Sequence, residues 1–312
     1  MTIRLVTDRG GLVESEHLAV GVVVDGLRQV QWTSGPQDAD HPVFLRSAAK
    51  PFQASGAVAA GVADRLGLTD RHLAAACSSH DASPEHLDLV DDILAAARLG
   101  RDALQCGTDG QGGAFEHQCS GNHALGLAWC VVAGWPTDSY LDVSHPLQTN
   151  YERIVAEVTG VTPEVGPDGC GMRTFRVPLS AYALAFCRLG AGAASVPGLD
   201  RVAAAMRANP RIVRWAGEPD CELMRASDAF VAKVGADGSI GVGHSSGLGA
   251  ALKVLDGAPR AVGPAMAEML GAVDRLRSDL APLDPAVAEP PVLDGQGRTV
   301  GRIRVGRISV GR

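Results

Sequence analysis

Ser47 and Lys50 stand three residues apart in the segment FLRSAAKPFQASGAVAAG, and Pro51 follows the lysine directly. On a helix this spacing puts both side chains on one face. A serine hydroxyl becomes an effective nucleophile when a neighbouring base takes its proton, and a lysine held out of water can be that base. Proline fits a helix only in the first turn, where its missing N–H is not needed. The pattern therefore predicts a helix beginning at about Arg46 to Ala48 with Ser47 at its N-terminal end. The helix dipole there favours a developing negative charge. S-x-x-K also occurs in ordinary solvated helices, so the rest of the chain must decide between the two readings.

Four other clusters carry reactive side chains. Ala76-Cys77-Ser78-Ser79-His80-Asp81 ends an apolar run in consecutive polar residues. It reads as a capped helix terminus or as a second hydroxyl, Ser79, at the edge of a site. Cys119-Ser120-Gly121-Asn122-His123 opens an apolar helix. It reads as a capped start or as an anion-binding N-terminus, with Cys119, Asn122 and His123 close to one face. Gly166-Pro167-Asp168-Gly169-Cys170-Gly171-Met172 is too rich in Gly and Pro for an element interior. Cys170 in such a loop is a candidate for metal or substrate contact, since a free cysteine prefers a core. Lys233 lies between apolar neighbours in AFVAKVGADG; it either snorkels to water or acts as a second amine near a serine. No zinc-finger cysteine pairs, P-loop or dinucleotide fingerprint is present.

Composition limits what these residues can belong to. A chain of 312 residues that is 46% hydrophobic and 20% charged suits a compact core, as one large domain or two intimate ones. Aromatics are only 4%, so the core must be built from Ala, Val and Leu. A net charge of −7 argues against a nucleic-acid surface, which needs a basic stripe. No apolar run reaches membrane-span length, and MTIRLVTDRGG lacks the plan of a signal peptide. The seven cysteines are odd in number and irregular in spacing, against a disulfide framework. A cytoplasmic protein is the expectation.

The elements that must position the reactive residues follow from patterning. LAVGVVVD (18–25), the turn Asp25-Gly26 and RQVQWTS (28–34) predict a hairpin; AFVAKVGA (229–236), Asp237-Gly238 and SIGVGHS (239–245) predict a second. GAALKVLDG (249–257) and GRTVGRIRVG (297–306) read as further strands. Between these ends the chain reads as helical: the run after Ser47, Thr69-Asp70 to Ala76, Ser83-Pro84-Glu85 to Leu99, and segments 120–134, 146–160, 177–190 and 263–276. ASVPGLD and AVAEPPVLDGQG read as linker-like. Strands at both ends with helices between predict an α+β fold. It should have one antiparallel sheet of terminal strands in a single domain, 1–312, with a helical insert over approximately 47–225.

Taken in order, FLRSAAKPFQA, ACSSHDASPEHL, CSGNHALGL, SHPLQ, PDGCGMRTFRVPL, LMRASDAFVAKVGADG and GLGAALKVLDG resemble the L-asparaginase II family, the Rhizobium-type or thermolabile class, over nearly the whole chain. The resemblance implies a fold akin to serine β-lactamases and glutaminases, homodimers, and hydrolysis of L-asparagine to L-aspartate and ammonia through a serine acyl-enzyme. It implies that Ser47 and Lys50 form the family's serine–lysine pair, with Arg46 beside it, and that Ser79 and Lys233 form a second pair. It further implies that Cys119, His123, Asp168 and Cys170 surround a zinc site near the nucleophile. Arg46, His123 and Asp168 are the expected substrate-binding residues, and Cys119 and Cys170 the expected metal ligands. The family's usual lysine in C-S-G-K-H is Asn122 here, a poor neutral ligand, so zinc should bind weakly or not at all. Arg173 adds a charge where the family has a small residue or proline. The alternatives are another serine–lysine amide hydrolase, acting on glutamine or a β-lactam-like ring, and a weakened paralogue with an altered metal site.

Overall fold

A computed structural model describes residues 2–108, 110, 112–193 and 196–306. Residues 194 and 195 of the linker-like ASVPGLD, and the chain ends at 1 and 307–312, lie outside the described residues. The strands are β1 (Ile3–Arg9), β2 (Leu12–Asp25), β3 (Val30–Thr33), β4 (Pro42–Phe44), β5 (Glu164–Pro167), β6 (Arg173–Pro178), β7 (Phe230–Gly235), β8 (Ser239–His244), β9 (Leu248–Val254), β10 (Pro291–Leu293) and β11 (Thr299–Val305). The helices before β7 are α1 (Lys50–Ala59), α2 (Val62–Leu66), α3 (Asp70–Ala76), α4 (Pro84–Ala96), α5 (Ser120–Ala133), α6 (Pro146–Thr159), α7 (Leu179–Ala191), α8 (Leu199–Ala208), α9 (Pro210–Val213) and α10 (Pro219–Ala226). After β9 come α11 (Val262–Gly271), α12 (Asp274–Asp279) and α13 (Pro285–Ala288).

The fold is α+β, as the strand and helix patterning predicts. The large sheet runs β10-β11-β1-β2-β9-β8-β7, with β3 also on β2, and its pairings are antiparallel. N- and C-terminal strands interleave, because β2 pairs with β9 and β1 with β11. The β7–β8 turn is the expected Asp237-Gly238, with φ of +59° and +71°. Two positive φ values in succession are what a tight hairpin turn needs to match strand twist. The other predicted hairpin has a wider loop, since β3 begins only at Val30.

Helices cover both faces of the sheet. All six residues of β8 are buried, as expected of a strand with no solvent face. α7 lies on one face, against β2, β8 and β9, and glycine permits the close approach. A Cβ on Gly243 would sit 2.1 Å from the Phe186 carbonyl oxygen. α1, α6 and α8 pack against α7, with α3 and α5 beyond them, in an Ala-, Leu- and Val-rich core, with Phe52 edge-on to Phe186 at 5.3 Å. α11 covers the opposite face through Val262, Met266 and Met269. The predicted helix 263–276 is two helices, α11 and α12, separated by extended Val273.

A second, three-stranded sheet, β4-β6-β5, was not foreseen, and it matters for the site. It joins the segment before Ser47 to the strand after Cys170. Among the described residues no helix is long and apolar enough to cross a membrane.

Candidate active site

The Ser47 segment begins with a 3-10 turn, Arg46–Ala49, that runs directly into α1 at Lys50. Pro51 falls in the first turn of α1, so the predicted helix start is placed correctly to within a few residues. The turn is fixed from both sides. The Leu45 N–H donates to the Phe175 carbonyl at 2.9 Å, and the Arg46 N–H to Thr174 Oγ1 at 3.1 Å. β7 packs against the same turn. Arg46 has φ of +50°, a left-handed conformation uncommon for a side-chain-bearing residue. Such strain persists only where neighbours over-determine it. Here the guanidinium does so, with Nε 3.0 Å from Asp168 Oδ1 and Nη1 2.9 Å from Asp237 Oδ2.

Half-buried Ser47 lines a narrow cleft with Arg46, Lys50, Gln53 and Asp168. Asn122, Met172, Arg173 and the two thiols Cys119 and Cys170 complete its wall. Lys50 is 4% exposed. Its ammonium donates to the Ser78 carbonyl at 2.5 Å and to Ser79 Oγ at 3.2 Å. Ser79 follows the end of α3, and its carbonyl accepts from Arg214 Nη1 at 3.1 Å. The polar helix terminus 76–81 thus delivers a hydroxyl to Lys50. The same segment sends His80 elsewhere: its Nδ1 accepts the Ala82 N–H, so its Nε2–H donates to Ser120 Oγ at 2.9 Å.

Two expected relationships come out differently. Ser79 bonds to Lys50 rather than to Lys233. The Lys233 ammonium lies 3.3 Å from Asp220 Oδ2, with both side chains wholly buried. Burial pushes the Lys233 amine down to about 8, against the upward pull of Asp220 and with help from the charges of Arg214 and Lys50. His123, expected to bind substrate, is wholly buried and is not part of the cleft wall. Its Nδ1 lies 2.7 Å from the Tyr140 hydroxyl, which also accepts the Gln105 N–H. Burial pushes His123 down to about 3, so it is a neutral group under the site. Arg173 lines the cleft but is committed: it pairs with Glu152 and donates to the Val143 carbonyl. It braces the wall instead of offering a free charge.

Cys119 caps α5 and Cys170 sits in the β5–β6 loop; each is 7% exposed. Their sulfurs share a hydrogen bond. The Cys170 thiol donates, which holds Cys119 well below the ordinary thiol range, against burial and with help from Lys50. Cys170 is pushed up by the same bond and by burial. A zinc ion takes at least three protein ligands. Asp168 is held by Arg46, and position 122 is a neutral amide. Among the described residues no group of three or more His, Cys, Asp and Glu is arranged to hold a metal. The residues present do not fit a zinc ion.

Asp220, Arg214 and Asp237 escape a reading of the sequence. Asp220 follows Pro219 in the first turn of α10, where an acid is an ordinary partner of the helix dipole. Asp237 is an ordinary turn residue.

Solved structures give distant likenesses. One is Mglu in its native form, at 13% identity and TM-score 0.47 over 84% of this chain and 64% of that one. Another is Mglu in its tris and glutamate form, at 13% and 0.49 over 83% and 59%. The chain thus spans somewhat less than two thirds of the length of these relatives. A third is the LovD6 mutant of simvastatin synthase from Aspergillus terreus, at 14% and 0.39 over 76% of this chain and 86% of that one. No curated protein sequence matches. The sequence model of L-asparaginase II matches residues 5–305, nearly the whole length. The chain therefore belongs to the L-asparaginase II family, a family of amidohydrolases.

Proposed function

We propose that this protein hydrolyses L-asparagine to L-aspartate and ammonia through an ester on Ser47. The observation that supports it best is the shared cleft. Ser47, Lys50 and the Arg46–Asp168 pair open onto one space, a nucleophile and base beside a fixed cation and anion. Free asparagine is a zwitterion at its α-carbon. In this reading Arg46 receives the α-carboxylate and Asp168 the α-ammonium, which presents the side-chain amide to Ser47.

Lys50 in its amine form takes the Ser47 proton, and Ser47 Oγ bonds to the amide carbon. The oxyanion is stabilised by the fixed positive charge behind it, since the Arg46 and Ala48 N–H groups of the 3-10 turn are already bonded. The C–N bond then breaks, and the leaving nitrogen receives a proton from Lys50 by way of Ser79, whose hydroxyl bonds to that ammonium. A water molecule attacks the ester while Lys50 takes its proton, and Ser47 leaves with that proton restored. One water is consumed and one ammonia released per turnover. Lys233 stays protonated as a fixed cation.

The test is ammonia release from L-asparagine and L-glutamine side by side, using wild type, Ser47→Ala and Lys50→Met. The reading expects release from asparagine that both variants lose. Release from glutamine alone would move the substrate assignment, and full activity in Ser47→Ala would remove the nucleophile.

A further inference from the structure

We propose that Asp220 is a positioning residue of this site, one that fixes Lys233 as a charged ammonium behind the Ser47 turn. The inference rests on the serine–lysine reading above. Asp220 and Lys233 are each 0% exposed and meet at 3.3 Å. The carboxylate is itself held: Oδ2 also accepts the Val234 N–H at 2.9 Å, and Oδ1 accepts the Cys221 N–H at 3.1 Å. It sits in the first turn of α10, where a negative charge is favoured. Three elements bring other groups to Lys233. Lys50 approaches from α1, Arg214 from the segment between α9 and α10, and the Cys77 thiol from the end of α3. Cys77 is pushed up to about 12 by burial and is neutral. Tyr182, on α7, feels Asp220 and is raised by burial, so it too is neutral. Arg214 has its own carboxylate, Glu218, at 3.1 Å. Asp220 is then the anion that balances Lys233 in a volume shared with Lys50.

The consequence is electrostatic. Burial, Lys50 and Arg214 all push the Lys233 amine toward its neutral form, and Asp220 alone opposes them. With the carboxylate replaced by an amide, Lys233 loses its proton at a lower pH. The fixed cation behind Ser47 is then absent at neutral pH, and the oxyanion loses its support. β7 carries Lys233 and also packs against the Ser47 turn, so the charge sits on the strand that braces the nucleophile.

The experiment uses full-length wild type, Asp220→Asn and Asp220→Glu, with kcat and KM for ammonia release measured from pH 5.5 to 9.5. In parallel, NMR follows the titration of lysine carrying ¹³C at Cε, with Lys233→Met used to assign the signal. The expected result for Asp220→Asn is a fall in kcat at neutral pH of about 10- to 100-fold, the range typical of a disrupted supporting contact. KM should stay within about twofold of wild type, since the residue does not touch substrate. The alkaline limb of the rate profile and the Lys233 titration should both move down by about two to three pH units, the shift that leaves about a tenth to a hundredth of Lys233 charged at neutral pH. Asp220→Glu should restore part of both. An unmoved Lys233 titration, or a loss of kcat uniform across pH, would overturn the inference. A wild type that releases no ammonia while the titration still moves would count against the asparaginase reading and leave the Asp220–Lys233 assignment standing. If Asp220→Asn does not fold, the Lys233 titration in wild type decides: an amine already neutral at pH 7 would overturn the inference.

Discussion

Gly235 closes β7 where the strand meets the turn that carries Ser47. A methyl group at this position would lie 2.5 Å from the Leu45 carbonyl oxygen and 2.4 Å from Ser239 Oγ. Ordinary contact begins near 3.4 Å, so the Leu45 carbonyl must retreat by about 0.9 Å if it moves alone. It has little room to do so. The Leu45 N–H is tied to Phe175 at 2.9 Å, and its carbonyl accepts the Ala48 N–H at 3.0 Å. The displacement therefore passes into Arg46–Ala49. A misplacement near 1 Å at a reacting group costs on the order of 100-fold in rate, and overpacking destabilises by about 1–3 kcal/mol. Gly235→Ala should lower kcat for ammonia release by roughly 10- to 100-fold with a smaller effect on KM. Rates are normalised to the folded fraction from circular dichroism. Gly26→Ala is the control, because a Cβ there meets nothing within 4 Å. If Gly235→Ala keeps kcat within about twofold of wild type, β7 does not brace the nucleophile.

Five further outcomes are expected. Asp168→Asn should raise KM by about 10- to 100-fold with a smaller loss of kcat, whereas Arg46→Ala should raise KM and lower kcat together, since its guanidinium also holds the Ser47 turn; steady-state kinetics checks this. The rate should fall as pH rises through about 8, where Lys233 loses its proton, and Lys233→Met should flatten that limb. Elemental analysis of purified protein should find less than stoichiometric zinc, with activity surviving dialysis against a chelator. Asn122→Lys should raise the zinc content, and unchanged zinc in that variant would show that position 122 is not what the site lacks. Sedimentation should find a homodimer, as the family resemblance implies.

What was legible in the sequence was local. Pro51 marks a helix start because its chemistry allows few other places, and Asp237-Gly238 marks a tight turn for the same reason. That the terminal strands share one sheet follows from strands at both ends with helices between, but which strand pairs with which does not. The break between α11 and α12 was not legible, since Ala272 and Val273 carry no stop signal. The site itself divides the same way. Ser47 and Lys50 share a cleft because they are three residues apart. Ser79 reaches Lys50 only because α3 ends beside α1, 29 residues along the chain. Asp220 reaches Lys233 through the packing of α10 on β7, and nothing in P-D-C-E-L separates it from an ordinary helix cap. His123 has the right spacing from Cys119, but its helix turns it into the core against Tyr140. Arg173 looks like a spare charge in sequence and is spoken for by Glu152 in space.

In the proposed reaction Ser47 attacks the side-chain amide of asparagine with Lys50 as its base. Ammonia release from L-asparagine by wild type and Ser47→Ala, at matched folded concentration, tests it most directly. Wild type should turn over, and the variant should lose at least about 10³-fold, the scale seen when a nucleophile is removed. Wild-type turnover by Ser47→Ala would contradict it.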